Sequence, residues 1–407
     1  MLSVAEAQER VLAAITPLET ADVLIGDALG MVLADELVAP QPLPRFDNSA
    51  MDGFAVRSEE TSHASAEAPV ELEVVGEVRA GDPGELKVLP GTAVRIMTGA
   101  PVPVGADAVV AVEDTDENDG TVVVKASTPA GRHVRPAGDD LSSGDVLVEA
   151  GAELGPGEMA LLASMGFSPV AVRQRPKVAV LVTGDELIPP EAEPGPGQIR
   201  DSNTIALRAL VAEAGAEVVP CEVVTDEYQV VVAAFARAAE LCDLVVSSGG
   251  VAVGKYDFVK AAVEELGRIE LWRVAMQPGK PVVLGSIGST PFLGLPGNPV
   301  SIHIGFEQFV RPAIRKLRGC KFLLRPVLLA RVAETITKKP GRLHFVRVRL
   351  TSDDGWVATP TGSQGSHIQS SLVDCHGVAR FPAEATILEA GTEVVVEVWN
   401  LPAADRP

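Results

Sequence analysis

The feature that most constrains the fold of this chain is a glycine-rich loop after a short strand-like run. Residues 243–246 predict a buried strand, and Ser247-Ser248-Gly249-Gly250-Val251-Ala252-Val253-Gly254-Lys255-Tyr256-Asp257 follows directly. Glycine reaches positive φ without strain and lets backbone N–H groups approach a ligand closely. The helix expected from Phe258 onwards would point its positive end at the same place. The stretch therefore predicts a strand, an anion-binding loop and a helix in succession.

The spacing of Gly249, Gly254 and Lys255 matches most of the P-loop pattern of nucleotide-binding proteins. Tyr256 stands where that pattern needs a serine or threonine to ligate magnesium, which argues against a P-loop NTPase. On this stretch alone, a turn that only joins a strand to a helix remains an alternative.

Length and charge limit the function classes. A chain of 407 residues is long enough for two to four domains at roughly 100 to 200 residues each. Lys and Arg total 34 and Asp and Glu total 55, which gives a formal charge of −21. Such an excess of negative charge disfavours binding to nucleic acids or anionic membranes. An anionic ligand would need glycine-loop amides, a few placed cations or a bridging metal.

The cysteines and the N-terminus indicate a cytoplasmic protein. The four cysteines (Cys221, Cys242, Cys320, Cys375) form no CxxC pair, which disfavours a disulfide framework or structural zinc. The N-terminus has charged residues among its apolar positions, unlike a signal peptide, and no apolar run approaches ~18 residues.

The first part of the chain predicts a small domain interrupted by a β domain. The apolar spacing in residues 3–15 predicts an amphipathic helix, and the three prolines between 40 and 44 predict an extended linker. A polar loop at 45–56 leads into short β runs up to about 134, which favour a small barrel or sandwich. We expect a helix near 156–165, and the segment after 136 to return to the first forty residues.

Residues 177–319 alternate between strand and helix patterns. We expect strands at 177–182, 217–224, 243–246, 270–275, 281–287 and 291–295, and helices at 204–214, 227–240 and 258–266. Asp201, Ser202 and Asn203 are the expected cap of the helix that starts at 204. The alternation predicts an α/β domain with a mostly parallel sheet, whose ligand crevice lies beyond the carboxyl ends of the strands.

Three acidic residues fall at those carboxyl ends, namely Glu186, Asp226 and Asp257. Ends of separate parallel strands converge in space, and carboxylate oxygens are ligands that Mg²⁺ prefers. The pattern predicts a magnesium site. Solvated loop carboxylates are the alternative.

A second predicted anion loop spans 294–301 and opens a long helix that continues to 318. Asn298 is the expected N-cap and Pro299 the first helical residue. Lys280 lies in a proline- and glycine-containing turn between the two loops and could serve as a counter-charge. Residues 322–400 have the pattern of a separate, barrel-like β domain. Within it, the spacing of His367, Cys375 and His376 fits neither a zinc site nor a thiol site well.

Several ordered motifs together closely resemble one family, the molybdopterin molybdenumtransferases (the bacterial MoeA family, also represented by the E domain of gephyrin). The motifs are Phe46-Asp47-Asn48-Ser49-Ala50-Met51-Asp52-Gly53, Arg95-Ile96-Met97-Thr98-Gly99-Ala100 with Gly105-Ala106-Asp107, Thr183-Gly184-Asp185-Glu186-Leu187, Asp201-Ser202-Asn203, Ser247-Ser248-Gly249-Gly250-Val251, Pro278-Gly279-Lys280-Pro281 and Leu295-Pro296-Gly297-Asn298-Pro299-Val300-Ser301. They span nearly the whole chain.

The resemblance implies a multidomain α/β plus β protein and an elongated homodimer. The implied domains are an N-terminal discontinuous domain (1–45 and 137–176), an inserted β domain (46–136), the molybdopterin-binding α/β domain (177–319) and a C-terminal β-barrel-like domain (320–407). It also implies that molybdate is inserted into adenylylated molybdopterin with Mg²⁺-dependent release of AMP. The site is expected between the α/β domain of one subunit and the inserted domain of the other. The upstream adenylyltransferase is a further implied partner.

The resemblance also assigns residues. The implied catalytic residues are Asp52, Thr98, Asp140 and Glu186, and the implied Mg²⁺ ligands are Glu186, Asp226 and Asp257. The implied substrate-binding residues are Arg200, Asp201, Ser202, Ser247, Ser248, Gly249, Gly250, Lys255, Lys280, Pro296, Gly297, Asn298, Pro299 and Ser301. Of these, Arg200, Lys255 and Lys280 would balance the anionic substrate or molybdate.

The chain departs from the family pattern at two places. Ala252 replaces a serine common in the family and removes one possible hydroxyl donor to an oxyanion. Cys375-His376-Gly377 replaces Ala-Asn-Gly, away from the expected chemistry. Two alternative functions remain: a molybdopterin adenylyltransferase, which the α/β domain alone also resembles, and a non-catalytic molybdopterin-binding scaffold.

Overall fold

The computed structural model describes residues 1–221, 223–250, 258–271, 273–352 and 354–402. Its helices are α1 (Val4–Ala13), α2 (Ser58–Thr61), α3 (Pro156–Ser164), α4 (Asn203–Glu213), α5 (Tyr228–Leu241), α6 (Phe258–Leu266), α7 (Pro299–Gly305) and α8 (Arg311–Leu317). A π-helical turn, Phe306–Val310, joins α7 to α8, and 3₁₀ turns lie at Ile25–Asp27, Val112–Asp114 and Gln369–Leu372. No helix in these ranges is both long and apolar enough to cross a membrane.

The strands before residue 177 are β1 (Thr20–Val23), β2 (Val32–Leu33), β3 (Leu37–Val38), β4 (Asn48–Ser49), β5 (Gly53–Val56), β6 (Val70–Val78), β7 (Thr92–Ile96), β8 (Ala108–Ala111), β9 (Thr115–Asn118), β10 (Thr121–Val124), β11 (Val134–Arg135), β12 (Val146–Val148) and β13 (Val170–Arg173). The strands of the middle part are β14 (Lys177–Val182), β15 (Leu187–Ile188), β16 (Ile199–Arg200), β17 (Glu217–Val219), β18 (Leu244–Ser248), β19 (Gly267–Leu271), β20 (Met276–Gln277), β21 (Val283–Ile287) and β22 (Thr290–Leu295). The last strands are β23 (Val327–Val332), β24 (Ile336–Thr337), β25 (Leu343–Ser352), β26 (Trp356–Pro360), β27 (Gly377–Phe381), β28 (Ile387–Leu388) and β29 (Glu393–Val398).

The chain divides into two compact units. The first comprises Met1–Asp35, Ala150–Pro156 and Pro169–Pro407, and the second comprises Glu36–Glu149 and Gly157–Ser168. The four-domain division expected from the sequence is finer than this and stays a prediction.

The centre of the first unit is a six-stranded sheet in the order β17-β14-β18-β22-β21-β19. The strands β17, β14, β18 and β22 run parallel, while β21 and β19 complete one edge in antiparallel pairs. The mostly parallel sheet predicted from the sequence is therefore confirmed, with an antiparallel edge.

Residues of β14 show why both faces of this sheet are covered. Val178, Val180 and Val182 pack with α1, α4, α7 and α8, whereas Ala179 and Leu181 pack with α5 and α6. Successive side chains of a strand point to opposite faces, so an uninterrupted apolar run has to be buried on both sides. Helices on both faces leave the ends of the strands as the exposed edge.

Two predicted strands differ from the structure. The strand expected at 217–224 ends at Val219, because Pro220 has no N–H to continue the ladder, and Val224 returns only as a single bridge to Thr183. The strand expected at 270–275 instead begins at Gly267, directly after α6, because Gly267 already pairs with Ile287 of β21.

The C-terminal part of the first unit is a barrel. The ladder β25-β26-β23-β29-β27 closes because β27 also pairs with β25, and β20 joins β25 in parallel. The barrel interior is an apolar cluster that includes Val346, Val348 and Val396. The expected C-terminal barrel is confirmed.

The second unit contains a six-stranded sheet in the order β8-β5-β7-β6-β10-β9. Phe54, Val110 and Val122 belong to its buried cluster, and the two-stranded pairs β11-β4 and β12-β3 lie in the same unit. A β structure over this part of the chain agrees with the sequence pattern.

Candidate functional site

Three loops meet at the carboxyl ends of β14, β18 and β22. The parallel register pairs Val182 with Ser248, and Ser248 with Leu295, so the residues that follow these strands lie side by side. The backbone N–H of Gly249 donates to the Leu295 carbonyl at 3.1 Å, which ties the loop after β18 to the end of β22. This edge is where an α/β sheet places its ligand crevice.

Gly249 and Gly250 adopt the positive φ values of +88° and +62°. A Cβ at Gly249 would lie 3.1 Å from the Thr183 carbonyl oxygen, whereas a Cβ at Gly297 would make an ordinary 3.8 Å contact with the Gly249 Cα. The backbone of the loop after β18 therefore has both the conformation and the close contacts that require glycine at 249.

Asn203, the first residue of α4, connects two of these loops. Its Nδ2 donates to the Ser248 Oγ at 3.1 Å and to the Gly297 carbonyl at 2.7 Å. The Asp201 Oδ1 accepts a 3.0 Å bond from the Thr204 N–H and so provides the expected capping interaction. We name the place where Gly250, Gly297 and Asn298 meet the shared corner.

On one side of the shared corner lies a cavity of ≈ 500 Å³, here named the acidic cavity. Its carboxylates include Glu186 and Asp226, and the backbone N–H of Asp226 is held by the Asp185 Oδ1 at 2.9 Å. Burial, followed by the negative charges of Asp185 and Glu186, raises the pKa of Asp226 above its ordinary value. A bound cation would relieve the repulsion among these carboxylates.

Arg200 also lines the acidic cavity, on the short strand β16. Its Nε donates to the Ala192 carbonyl at 3.1 Å and its Nη2 donates to the Glu193 carboxylate at 3.2 Å. The guanidinium is therefore partly engaged by its own loop.

On the other side of the shared corner lies a cavity of ≈ 510 Å³, here named the cationic cavity. Its charged lining residues are Lys280 and Arg342, and its hydroxyl-bearing lining residues are Ser301 and Ser366. Within the described ranges, neither cation forms an ion pair with a carboxylate. Lys280 and Arg342 are thus available to an anion.

The long helix that follows Pro299 contributes to both cavities. Asn298 is at the N-cap position but its side chain makes no capping bond, contrary to the usual role expected for it, and Pro299 is the first helical residue as predicted. The Val300 N–H donates to the Ser366 carbonyl at 3.2 Å. One N–H of the helix start, expected to be free for a ligand, is therefore used to hold a loop of the C-terminal barrel.

Most of the predicted site residues lie together in the first unit. The acidic cavity is lined by Glu186, Arg200, Asp201, Ser202, Asp226, Ser248, Gly249, Gly250, Gly297, Asn298 and Pro299. The cationic cavity is lined by Gly250, Lys280, Pro296, Gly297, Asn298 and Ser301. Ser247 lines neither: it is fully buried in β18, and its Oγ has no hydrogen-bond partner among the described residues. Lys255 and Asp257 lie outside the described residues.

Three predicted catalytic residues belong to the second unit. The backbone N–H and the Oγ1 of Thr98 both donate to the Asp52 Oδ1 at 2.7 Å. These bonds, the side-chain bond first, lower the pKa of Asp52. The Asp140 side chain is exposed, and its backbone N–H donates to the Leu43 carbonyl at 2.9 Å.

Sequence reasoning did not identify every lining residue. Arg342, Gln364, Gly365 and Ser366 line the cationic cavity but belong to the barrel, which was expected to be separate from the chemistry. Asn203 was expected to help cap α4, but it is the first residue of that helix, and its side chain bonds Ser248 and Gly297 instead.

Two places bear on metal binding: the predicted magnesium site, and the barrel residues whose spacing was judged to fit a zinc site poorly. Over the described ranges, no group of three or more His, Cys, Asp or Glu side chains could hold a metal ion, and the predicted trio includes Asp257, which those ranges omit. In the barrel, Cys375 is buried and donates to the Gly377 carbonyl, while the His376 Nδ1 accepts from the Leu350 N–H at 2.9 Å. These two side chains make local structural bonds.

Comparison with known protein families gives matches along most of the chain. Residues 2–166 match the MoeA N-terminal region (domain I and II), residues 179–316 match a probable molybdopterin binding domain, and residues 330–399 match the MoeA C-terminal region (domain IV).

Individual relatives match over almost their full length. The chain is 38% identical to molybdopterin molybdenumtransferase 2 of Mycobacterium tuberculosis, with 98% of this chain and 100% of the relative covered. It is 36% identical to the molybdopterin molybdenumtransferase of Haemophilus influenzae, with 98% and 99% covered. A crystal structure of the molybdopterin biosynthesis MoeA protein from Pyrococcus horikoshii superposes with a TM-score of 0.84 at 34% identity, covering 98% of this chain and 99% of that one.

Proposed function

The chain belongs to the molybdopterin molybdenumtransferase (MoeA) family, a family of transferases in molybdenum cofactor biosynthesis, and from that premise we propose its detailed reaction. In this reaction, molybdate is inserted into adenylylated molybdopterin and AMP is released in the presence of Mg²⁺. Water hydrolyses the phosphoanhydride bond, which releases AMP and leaves the phosphate on the pterin. Molybdate binds to the two dithiolene sulfurs as one of its oxygens leaves as water with the two thiol protons.

The observation that carries the proposal is that two cavities of opposite charge meet at one corner. Glu186 and Asp226 lie on the acidic side, Lys280 and Arg342 lie on the cationic side, and Gly250 lines both. A substrate with a phosphate chain and a separate anionic co-substrate would need this arrangement, because one end has to attract a cation and the other an oxyanion.

The described donors of the acidic cavity fit Mg²⁺. Mg²⁺ is usually held by one or two carboxylates together with waters and substrate phosphates, so Glu186 and Asp226 are a sufficient protein contribution. The raised pKa of Asp226, caused by burial and then by the negative charges of Asp185 and Glu186, is the second support. When bound, Mg²⁺ would supply positive charge to the pyrophosphate of the substrate. Asp257 stays a predicted third ligand.

The shared corner is the proposed place of the pterin phosphate. Glycines at 249, 250 and 297 expose backbone close to a ligand, and Asn203 holds two of the three loops at a fixed separation. The residues of the chain bind and orient the substrate here, so that its two reacting ends extend into different cavities.

The cationic cavity is the proposed place of molybdate. The ammonium of Lys280 and the guanidinium of Arg342 can donate to its oxygens, and Ser301 and Ser366 add hydroxyl groups. Lys280 thereby keeps the role predicted from the sequence, and Arg342 is added to it.

We propose that the protein acts as a homodimer, in which Asp52, Thr98 and Asp140 of one copy complete the site of the other. The Thr98 bonds that keep Asp52 ionised support a role for this carboxylate. Mixing inactive Asp52→Ala and Glu186→Ala protomers tests it: with random exchange, roughly a quarter of the activity should return. No rescue after verified subunit exchange would contradict the shared site.

The two alternative functions are less well supported. A single-domain adenylyltransferase does not account for the matches of residues 2–166 and 330–399 to the N-terminal and C-terminal regions of MoeA. A non-catalytic scaffold does not account for the acidic and cationic cavities that meet at the shared corner. A cytoplasmic location and an association with the upstream adenylyltransferase stay predictions.

The deciding experiment incubates the purified full-length protein with adenylylated molybdopterin, molybdate and Mg²⁺ while AMP is measured. We expect AMP release to require both molybdate and Mg²⁺ and to stop when the metal is chelated. AMP release at the same rate without molybdate would contradict insertion of the metal, and unchanged release in a chelator would contradict the magnesium assignment.

A further inference from the structure

We propose that Arg347 of the C-terminal barrel is a positioning residue that holds the rim of the cationic cavity in its anion-binding form. The inference rests on the proposed function, because it concerns how that cavity recognises molybdate. Arg347 itself does not line the cavity. It acts through residues 363–366, here named the rim loop, three of which do line it: Gln364, Gly365 and Ser366.

The guanidinium of Arg347 is bonded to the rim loop and to the turn that follows it. Its Nη2 donates to the carbonyl oxygens of Ser363 and Gly365 at 3.2 and 3.3 Å, and its Nε donates to the Ser371 Oγ at 2.8 Å. One planar group thus joins two residues of the rim loop to the 3₁₀ turn Gln369–Leu372.

The backbone of Arg347 is bonded to the same loop. Its N–H donates to the Gln364 Oε1 at 2.9 Å, and its carbonyl accepts from the Gln364 Nε2 at 3.3 Å. The Ser366 carbonyl then accepts from the Val300 N–H at the start of α7. A continuous set of hydrogen bonds therefore runs from β25 through the rim loop to the helix that carries Ser301.

Arginine is suited to this position by its geometry. The guanidinium offers several N–H donors in a fixed fork, whereas a lysine at the same place would offer one compact donor group. The side chain is 0% exposed, and within the described ranges it contacts no carboxylate. A buried cation without a carboxylate partner is costly, so an ordinary ion pair does not explain its presence.

The charge of Arg347 agrees with the same role. Burial lowers its pKa to about 10, which still leaves the group protonated at neutral pH. Its Nη1 has no hydrogen-bond partner among the described residues. The buried positive charge lies beneath a rim that is proposed to receive an anion, where it adds to the effect of Lys280 and Arg342.

The test compares Arg347→Gln and Arg347→Lys with two controls on the same strand. Arg349→Gln removes an exposed arginine two residues away, and Val348→Ala shortens a buried side chain of the barrel core. Each full-length variant is titrated with sodium molybdate by calorimetry, and AMP release is measured over a range of molybdate concentrations below the melting temperature of every variant.

We expect Arg347→Gln to raise the Kd and the apparent KM for molybdate by about tenfold, with kcat nearly retained at saturating molybdate. Arg347→Lys should show a smaller increase. Arg349→Gln should match the wild type, and Val348→Ala should lower the melting temperature without changing the KM for molybdate.

Three results would overturn the inference, and each can be distinguished from the others. If the wild type binds molybdate and both Arg347 variants keep its KM within twofold, Arg347 has only a structural role and the proposed function stands. If the wild type does not bind molybdate at all, the role of the cationic cavity itself is wrong. An increase in the KM for molybdate in Val348→Ala equal to that in Arg347→Gln would also contradict a specific positioning role.

Discussion

The acidic and cationic cavities share a corner but are built from different parts of the first unit. Glu186 and Asp226 of the acidic cavity come from loops at the carboxyl ends of the parallel strands of one sheet. The cationic cavity takes Lys280 from the same domain but Arg342 and Ser366 from the barrel. Carboxylates at neighbouring strand ends converge without help, whereas cations placed close beside them would be drawn into ion pairs. Placing part of the cation set on a separate domain keeps the two charges apart.

The largest expected effect sharpens the acidic side of this comparison. Glu186→Gln should weaken the binding of Mg²⁺ and lower AMP release at limiting Mg²⁺ by about 10- to 100-fold, because the proposed oxygen ligand loses its charge. The side chain is exposed, so stability should change by no more than about 0.5 kcal/mol. The measurement is AMP release over a range of Mg²⁺ concentrations, together with a melting curve.

Glu191→Gln, which changes an exposed carboxylate in the loop between β15 and β16, is the matched control and should behave like the wild type. Equal activity of Glu186→Gln and the wild type at limiting Mg²⁺ would remove Glu186 from the metal site.

The next effect concerns the cationic side. Lys280→Gln and Arg342→Gln should each raise the apparent KM for molybdate by about tenfold, since each removes a charge-assisted donor. The Mg²⁺ dependence should stay as in the wild type. If either substitution alters the Mg²⁺ dependence as strongly as the molybdate dependence, the separation of the two cavities is wrong.

A substitution at Gly249, in the loop beside the shared corner, should appear as a loss of stability. Gly249→Ala forces a Cβ into a backbone with φ +88° and to 3.1 Å from the Thr183 carbonyl, which should cost at least about 1 kcal/mol. Gly297→Ala, whose Cβ would make only a 3.8 Å contact, is the matched control for stability. Chemical denaturation of both variants tests this, and equal losses of stability would contradict the strain argument.

The smallest expected effect concerns the bridge from Asn203 to the shared corner. Asn203→Ala removes the two hydrogen bonds that join the Ser248 hydroxyl to the Gly297 carbonyl. We expect the free energies of binding of Mg²⁺ and of molybdate each to weaken by about 0.5–1.5 kcal/mol. Kinetic titrations with Mg²⁺ and with molybdate should both shift, by similar factors. A shift in only one of them would mean that Asn203 serves one cavity and not their junction.

Local patterns in the sequence predicted many of the elements correctly. The opening helix begins at Val4 with a capping box formed by Ser3 and Glu6, and α4 and α5 lie within a residue or two of their expected bounds. These signals are carried by residues close together in the chain, so neighbouring side chains suffice to recognise them.

The π-helical turn between α7 and α8 had no such signal, since a continuous helix was expected. In the structure, the buried Glu307 carboxylate of this turn accepts hydrogen bonds from the Nε and Nη2 of Arg325 at 2.8 and 2.9 Å. The Gln308 Nε2 donates to the Glu397 Oε2 at 2.6 Å. Both partners are distant in sequence, and one belongs to the barrel. Interactions of this kind depend on the packed domains and leave no periodicity in the helix itself.

The sequence by itself determined the mostly parallel sheet, the glycine-rich loops and the acids at strand ends, because each depends on residue order within a short segment. Motifs also sufficed for the family. Only the tertiary structure decided that the barrel supplies Arg342 and the rim loop, that Ser247 is buried away from the cavities, and that the Val300 N–H is occupied. These three depend on which distant segments are packed together, and that information is spread over hundreds of residues rather than carried by any one motif.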